Sequence, residues 1–103
     1  MKILLCCGAG ASTSLVAEAM MKSLPSEEQK DYVIEAKSYD MFHEVHGNYD
    51  VILLGPQIRY KKAEAQKIAG ELNIPVDSIN PMDYAMQHGD KILTHARELL
   101  LNK

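Results

Sequence analysis

Five consecutive apolar residues, Ile3-Leu4-Leu5-Cys6-Cys7, stand near the start of the chain and are stopped by Gly8. A short unbroken apolar run of this kind reads as a strand buried on both faces. Leu15, Val16, Ala19, Met20 and Leu24 then recur at helical spacing, and Pro25 ends that pattern. Residues 26–31 are charged and read as a connection. Residues 32–38 form a second strand pattern, more polar than the first, as suits a sheet edge. Residues 40–46 read as a short helix closed by Gly47. A second doubly apolar run, Val51-Ile52-Leu53-Leu54, is stopped by Gly55-Pro56. Ala65, Ile68, Ala69 and Leu72 then give the i, i+3, i+4, i+7 spacing of a buried helix stripe. Lys61, Lys62, Glu64, Lys67 and Glu71 fall largely on its other faces and read as a solvated surface. Pro75 opens a short fourth strand over 76–79. Asn80-Pro81 then supplies a helix cap and a first helical residue. Gly89 reads as a stop, after which Asp90 caps a last helix that buries Ile92, Leu93, Ala96, Leu99 and Leu100.

Strand and helix therefore alternate four times, with one further helix at the end. That alternation predicts an α/β fold with a parallel sheet and right-handed crossovers. Strands one and three are the more apolar, which places them inside and predicts the order 2-1-3-4. The expected architecture is a single three-layer domain over 1–103, with helices on both faces of a four-stranded parallel sheet, flavodoxin- or Rossmann-like. Its topological switch point lies between strands one and three, where ligands bind beyond the carboxyl ends. The loops beginning at Cys7 and at Gly55 should then lie side by side.

Composition narrows the function classes. There are 11 Lys plus Arg against 14 Asp plus Glu, a formal charge of −3, so a nucleic-acid partner is not expected. The longest apolar run is five residues, whereas a bilayer span needs about 20, so no membrane insertion is expected. The N-terminus lacks the longer apolar stretch of a secretory signal. Two adjacent cysteines do not make a disulfide framework, which points to a reducing, cytoplasmic setting. There is no internal repeat, low-complexity tract or linker.

The segment Cys7-Gly8-Ala9-Gly10-Ala11-Ser12-Thr13-Ser14 joins the first strand to the first helix. Its small residues let successive backbone N–H groups point into one hollow. The helix that follows adds unpaired N–H groups and the positive end of its dipole, and three hydroxyls add further donors. This is an anion site sized for phosphate, with Cys7 at its mouth. A thiolate at a helix N-terminus is a good nucleophile. No Asp, Glu or His in the loop opposes a phosphate or serves as a general base. The chemistry expected is attack by the Cys7 thiolate on a phosphoryl group, held by preorganised amides. Cys6, still within the strand and pointing to the opposite face, is expected to pack as a small hydrophobe. On residue chemistry alone, the competing reading is that both cysteines are core and the loop is a plain turn.

Other sites fit this loop less well. A small cysteine phosphatase needs Arg six residues after its Cys, where this chain has Thr13, and no Asp general acid is evident nearby. A phosphatase-like hydrolase is therefore one alternative. A flavodoxin-like module binding a nucleotide or flavin, without catalysis, is another. Gly8 and Gly10 begin a dinucleotide fingerprint, but the third glycine position is Thr13 and strand two ends without an acidic residue. A nucleotide P-loop would need a Lys, which is missing. Thioredoxin chemistry needs two cysteines separated by two residues. A receiver domain needs acids where Cys6 and Cys7 stand. His43, His46, His88 and His95 do not show converging metal-ligand spacing and read as solvated helix residues, so no metal site is expected. Met20, Met21, Met82 and Met86 read as core or rim filler, with Met82 and Met86 placed to form a docking rim.

The opening Ile3-Leu4-Leu5-Cys6 with Cys7 through Leu15 resembles the enzyme IIB components of the bacterial phosphoenolpyruvate-dependent sugar phosphotransferase system, and within them the lactose/cellobiose family. Val51-Ile52-Leu53-Leu54-Gly55-Pro56-Gln57-Ile58, followed by Tyr60, resembles the same group, and Ile79-Asn80 with Tyr84 adds a weaker match. The resemblance spans the whole of 1–103, as one EIIB type-3-like domain. It implies a phosphoryl carrier that takes phosphate from a histidine of a IIA partner onto Cys7. The phosphate then passes to a sugar of the β-glucoside/cellobiose, chitobiose or lactose class carried by a membrane IIC partner. No cofactor is implied. The phosphate-holding residues map to Gly8, Ala9, Gly10, Ala11, Ser12, Thr13 and Ser14. Gln57, Ile58, Arg59 and Tyr60 map to the border of the site or to partner docking. Gly8 and Ala11 depart from the commoner Ser and Met, and Arg59 stands where a small residue is expected; the departures bear on the sugar.

Overall fold

The computed structural model describes residues 1–8 and 12–103, with Ser12 described in its backbone only. Strands β1 (Lys2–Cys7), β2 (Val33–Ser38), β3 (Val51–Leu54) and β4 (Val76–Ser78) are parallel and lie in the order β2-β1-β3-β4. The helices are α1 (Ser12–Lys22), α2 (Ser26–Gln29), α3 (Phe42–Val45), α4 (Lys62–Gly70), α5 (Pro81–Ala85) and α6 (Gly89–Leu101). Short 3-10 turns at Tyr39–Met41, His46–Asn48 and Pro56–Lys61 complete the connections. The expected α/β order and sheet topology are thus present.

Two-residue periodicity divides the core in two. Ile3, Leu5, Val51 and Leu53 meet Val16, Met20, Ile92 and Ala96 on the face covered by α1 and α6. Leu4, Cys6, Ile52 and Leu54 meet Phe42, Ile58, Ala65 and Ala69 on the other. All four residues of β3 and Ile3 through Cys6 of β1 are fully buried, so continuous apolar runs mark the central strands.

Several local expectations are corrected. Residues 26–29 form the helical turn α2 rather than an irregular connection, with the Glu28 and Gln29 N–H groups donating to Pro25 O. The buried stripe of α1 is Thr13, Val16, Ala17 and Met20, continued by Leu24 just beyond the helix, which leaves Leu15 on the outside and 51% exposed. Leu72 is 56% exposed, because the chain after α4 turns at Asn73, whose φ is 58°. There the Asn73 N–H donates to Gly70 O and the Ile74 N–H to Ala69 O, each at 3.0 Å. That is a helix-closing motif with Asn in the left-handed position, and Ile74 takes the core contact instead of Leu72.

Gly89 starts α6 rather than ending the helix before it. The reversal comes earlier, at Gln87, with φ 54°. Gly89 is buried against the backbone of Ala19 and Met20, so its missing side chain serves the crossing of α6 with α1. The start of α5 is as expected: Asn80 Oδ1 accepts from the Met82 N–H at 2.8 Å and the Asp83 N–H at 3.1 Å, with Pro81 at the first position.

Candidate functional site

β1 is central, so its carboxyl end is flanked by the ends of β2 and β3. Cys7 is its last residue, paired in register with Ser38 of β2. Its side chain is half-buried, and its thiol donates to Lys37 O across a sulfur–oxygen distance of 3.8 Å. Cys6 is 0% exposed and belongs to the core on the α4 side. Burial, then the neighbouring Cys7, pushes the Cys6 thiol up to about 12. Strand parity has therefore separated two chemically identical neighbours: one sulfur is sealed as a neutral thiol and the other sits at the sheet end.

The loops after β1 and β3 are in contact. The Gly55 N–H donates to Cys6 O at 2.8 Å. A β-carbon built on Gly8 would lie 3.3 Å from Ile58 Cγ2. One built on Gly55 would lie 2.7 Å from Gln57 Oε1, 3.4 Å from Cys6 O and 3.7 Å from Thr13 Cγ2. Gly55 thus lets three parts of the chain close on one point: the end of β1, the first turn of α1 and its own turn. Thr13 is 1% exposed, with its methyl turned toward Gly55. The position where a cysteine phosphatase would carry its arginine is therefore a packing position.

The remaining expected site residues divide by exposure. Ser14 is exposed on the first turn of α1 and lines a groove beside β2. Ala9, Gly10 and Ala11 lie outside the described residues, as does the side chain of Ser12. In the turn after β3, Ile58 points into the core while Gln57, Arg59 and Tyr60 point outward, Tyr60 being 74% exposed. Ile58 is therefore the anchor of that turn, and the other three form its outer surface.

Two surface readings are corrected. Lys61, Lys62 and Glu64 do not form a merely solvated face. Tyr39 donates its hydroxyl to Glu64 Oε2 at 2.7 Å, and Lys61 Nζ is 3.7 Å from the same oxygen. Lys61 Nζ also stands 5.8 Å from the ring centroids of both Tyr39 and Tyr60. Burial and the bond to Glu64 raise the Tyr39 hydroxyl above its usual range, and the same bond, with Lys61, lowers the Glu64 carboxyl. Nor are the histidines simply solvated. His46 Nδ1 is 3.0 Å from Phe42 O, His88 Nδ1 is 3.1 Å from Asp83 Oδ1, and His95 Nε2 is 2.9 Å from Asp77 Oδ2. Among the described residues, no three His, Cys, Asp or Glu side chains converge in a way that would hold a metal ion.

Sequence reasoning missed the contribution of the β2 end. The Lys37 carbonyl beside the Cys7 sulfur, and Tyr39 reaching toward Lys61 and Glu64, both come from it. The signal was available: in the order 2-1-3-4 the loop after β2 adjoins β1 as closely as the loop after β3 does.

A family profile described as "PTS system, Lactose/Cellobiose specific IIB subunit" matches residues 2–95. The galactose-specific EIIB component of Lactococcus lactis subsp. cremoris (strain MG1363) is 43% identical over 103 residues, covering 95% of this chain and 94% of its own length. The oligo-beta-mannoside-specific EIIB component of Bacillus subtilis (strain 168) is 37% identical over 102 residues, covering 99% and 98%. The solution structure of the cellobiose-specific phosphotransferase IIB component from Borrelia burgdorferi superposes with a TM-score of 0.77 at 36% identity, covering 100% of this chain and 94% of that one. The lactose-specific IIB domain from Streptococcus pneumoniae superposes with a TM-score of 0.83 at 22% identity, covering 96% of each, which speaks for the fold. The strand order, the paired loops and these matches agree: the chain belongs to the lactose/cellobiose-specific IIB family of the sugar phosphotransferase system.

Proposed function

We propose that this chain, taken as one EIIB type-3 domain over 1–103, carries a phosphoryl group on Cys7 between a IIA phosphodonor and a sugar held by a membrane IIC partner. The carrying observation is the position of the Cys7 sulfur, half-buried at the end of the central strand and followed, five residues later, by the start of the helix α1. The amides of Gly8 through Ser14, including Ala9, Gly10 and Ala11, would hold the phosphoryl oxygens, helped by the positive end of α1.

In the first half-reaction the Cys7 thiol gives its proton to solvent. The thiolate attacks the phosphorus of the IIA phosphohistidine. The S–P bond forms, the P–N bond breaks, and the imidazole leaves with the electron pair. In the second half, a sugar hydroxyl oxygen attacks phosphorus. The P–O bond forms, the P–S bond breaks and the thiolate is regenerated, while the hydroxyl proton passes to a base outside the loop, which has none of its own. Gln57, Arg59 and Tyr60 form the outer surface against which partners would dock, and Ile58 fixes their turn.

The sugar is proposed only as a class, the β-glucoside/cellobiose, chitobiose or lactose group; the relatives named for cellobiose and oligo-beta-mannoside support a β-linked saccharide, and one relative is named for galactose. A cytoplasmic location suits this role. Among the described residues, no helix is long and apolar enough to cross a membrane, in keeping with a separate membrane partner. The test is incubation with phosphoenolpyruvate, the general phosphotransferase proteins and a IIA protein. The chain should gain the mass of one phosphoryl group, and Cys7→Ser should gain none. A wild-type chain that stays unmodified while the IIA protein is phosphorylated would refute the proposal.

A further inference from the structure

The two edges of the sheet are finished differently. On β4, the Ile52 N–H donates to Pro75 O at 3.1 Å and the Ile79 N–H donates to Leu54 O at 2.8 Å. Alternate residues of a parallel strand serve one neighbour, so Val76 and Ser78 face away from the sheet. Both are capped. Val76 O accepts from Gln66 Nε2 at 2.8 Å, and the Ser78 N–H donates to Asp77 Oδ1 at 2.8 Å. This strand is three residues long, and Lys62 sits on Asp77 at 2.9 Å. Short strands, side-chain caps and charges are how an edge is closed to further pairing.

The opposite edge, β2, is six residues long, without Gly or Pro. Its Val33 N–H donates to Met1 O at 2.9 Å. By the same alternation Val33, Glu35 and Lys37 serve β1, and Ile34, Ala36 and Ser38 turn their N–H and C=O groups outward. Beside them runs a groove of about 370 Å³ between α1 and β2, lined by Ser14, Ala17, Glu18, Met21, Ile34 and Ala36.

We infer that β2 pairs antiparallel with β2 of a second copy of this chain, about a two-fold axis at Ala36, to give a dimer with one continuous eight-stranded sheet. The charges select the partner and the register. Outward-facing residues must oppose outward-facing residues, which leaves three central registers. Pairing Ile34 with Ala36 sets Glu35 against Glu35. Pairing Ala36 with Ser38 sets Lys37 against Lys37. Pairing Ala36 with Ala36 sets Glu35 against Lys37, twice, in the positions where side chains of an antiparallel pair come closest. Only the last is free of like-charge opposition, and it also forms the longest ladder, Ile34 with Ser38, Ala36 with Ala36 and Ser38 with Ile34. The strand is thus complementary to its own reversed copy. The pairing covers Ile34 and Ala36 and joins the two α1–β2 grooves across the axis. The inference does not depend on what Cys7 carries.

The test is sedimentation equilibrium of the full chain over a wide concentration range. The wild type should approach twice the protomer mass at its highest concentrations. Glu35→Lys and Lys37→Glu, each alone, set like charges against each other and should weaken self-association about tenfold. An equimolar mixture of the two variants should regain it, because a chain with Lys at both positions complements a chain with Glu at both. A second readout needs no variant: the amides of Ile34 and Ala36 should exchange more slowly as protein concentration rises, while those of Val33 and Glu35 do not change. A wild type that stays monomeric throughout would overturn the inference and leave β2 to a strand of some other protein. So would variants that associate as well as the wild type, folded variants whose mixture does not associate, or exchange at Ile34 and Ala36 that is independent of concentration.

Discussion

Gly89 and Ala19 bring α6 and α1 into backbone contact: a β-carbon built on Gly89 would run into the Ala19 carbonyl group. Ala19 lies toward the C-terminal end of α1, whereas Thr13 at its other end adjoins Gly55, so this crossing helps set the angle at which the first turn of α1 approaches Gly55. Replacing Gly89 by Ala forces the two backbones apart. The expected cost is about 1–3 kcal/mol, the range for overpacking, and about 4–8 °C of melting temperature for each kcal/mol. Thermal unfolding of Gly89→Ala checks this, and an unchanged melting temperature would contradict it.

The two cysteines should behave as different reagents. Cys6 is fully buried with its thiol raised to about 12, so a soluble alkylating agent near pH 8 should modify Cys7 and spare Cys6 until the chain unfolds. Peptide mapping after labelling reads this directly. On the proposed function, Cys6→Ala keeps phosphoryl acceptance and loses about 1–2 kcal/mol of stability through its small cavity, whereas Cys7→Ser keeps its stability and loses acceptance.

Stability should fall on the alkaline side in a defined way. Cys6 is raised from 9.0 to about 12, and the hydroxyls of Tyr39 and Tyr49 are also raised above 10.0, chiefly by burial and then by their bonds to Glu64 and Glu35. A raised folded-state value means that the folded chain holds the proton more tightly than the unfolded one. The stabilisation is complete below the unfolded values, near pH 9 to 10, and is lost as pH rises above them toward the folded values. Denaturation midpoints measured between pH 8 and 12 should therefore decline from about pH 9 upward. Tyr49→Phe should decline less steeply.

Asp77 predicts the acid side. Burial opposes its ionisation, but the bonds from Lys62, the Ser78 N–H and His95 outweigh burial and hold its carboxyl below the usual range. Its contribution is present above the unfolded carboxylate value and is lost as pH falls through the lower folded one. Asp77→Asn should cost about 1–2 kcal/mol at neutral pH, for a cluster of partly exposed charge-assisted bonds. The difference from wild type should begin to shrink as pH falls below about 4 and should vanish only below the lowered folded value.

Asn80 accepts from two amides at the start of α5. Asn80→Ala should cost about 1 kcal/mol, the usual worth of a helix cap, and Asn80→Asp should retain most of it. Chemical denaturation of the three proteins tests both expectations.

The central architecture was legible because β1 and β3 are buried on both faces, which leaves unbroken apolar runs, and because Asn80-Pro81 is a local signal that needs no partner. What escaped the sequence depended on distant contacts. Gly89 looks like a terminator until Ala19 is placed against it. Leu15 and Leu72 look like core until the phase of α1 and the left-handed turn at Asn73 are known. Thr13 looks like a phosphate donor by type, yet its methyl packs beside Gly55, from another strand. His95 and Asp77, 18 residues apart, meet only because α6 returns along the β4 edge.

The hydrogen bond from Gly55 to Cys6 O fastens the two central strand ends to each other, and Ile58 pins the turn that follows. The sulfur of Cys7 consequently takes its coordinates from the interior of the protein, whereas Gln57, Arg59 and Tyr60 take theirs from a single surface turn. Those three side chains can be exchanged like the teeth of a key without moving the shaft, so new recognition can be engineered on this frame while the thiol stays where it is.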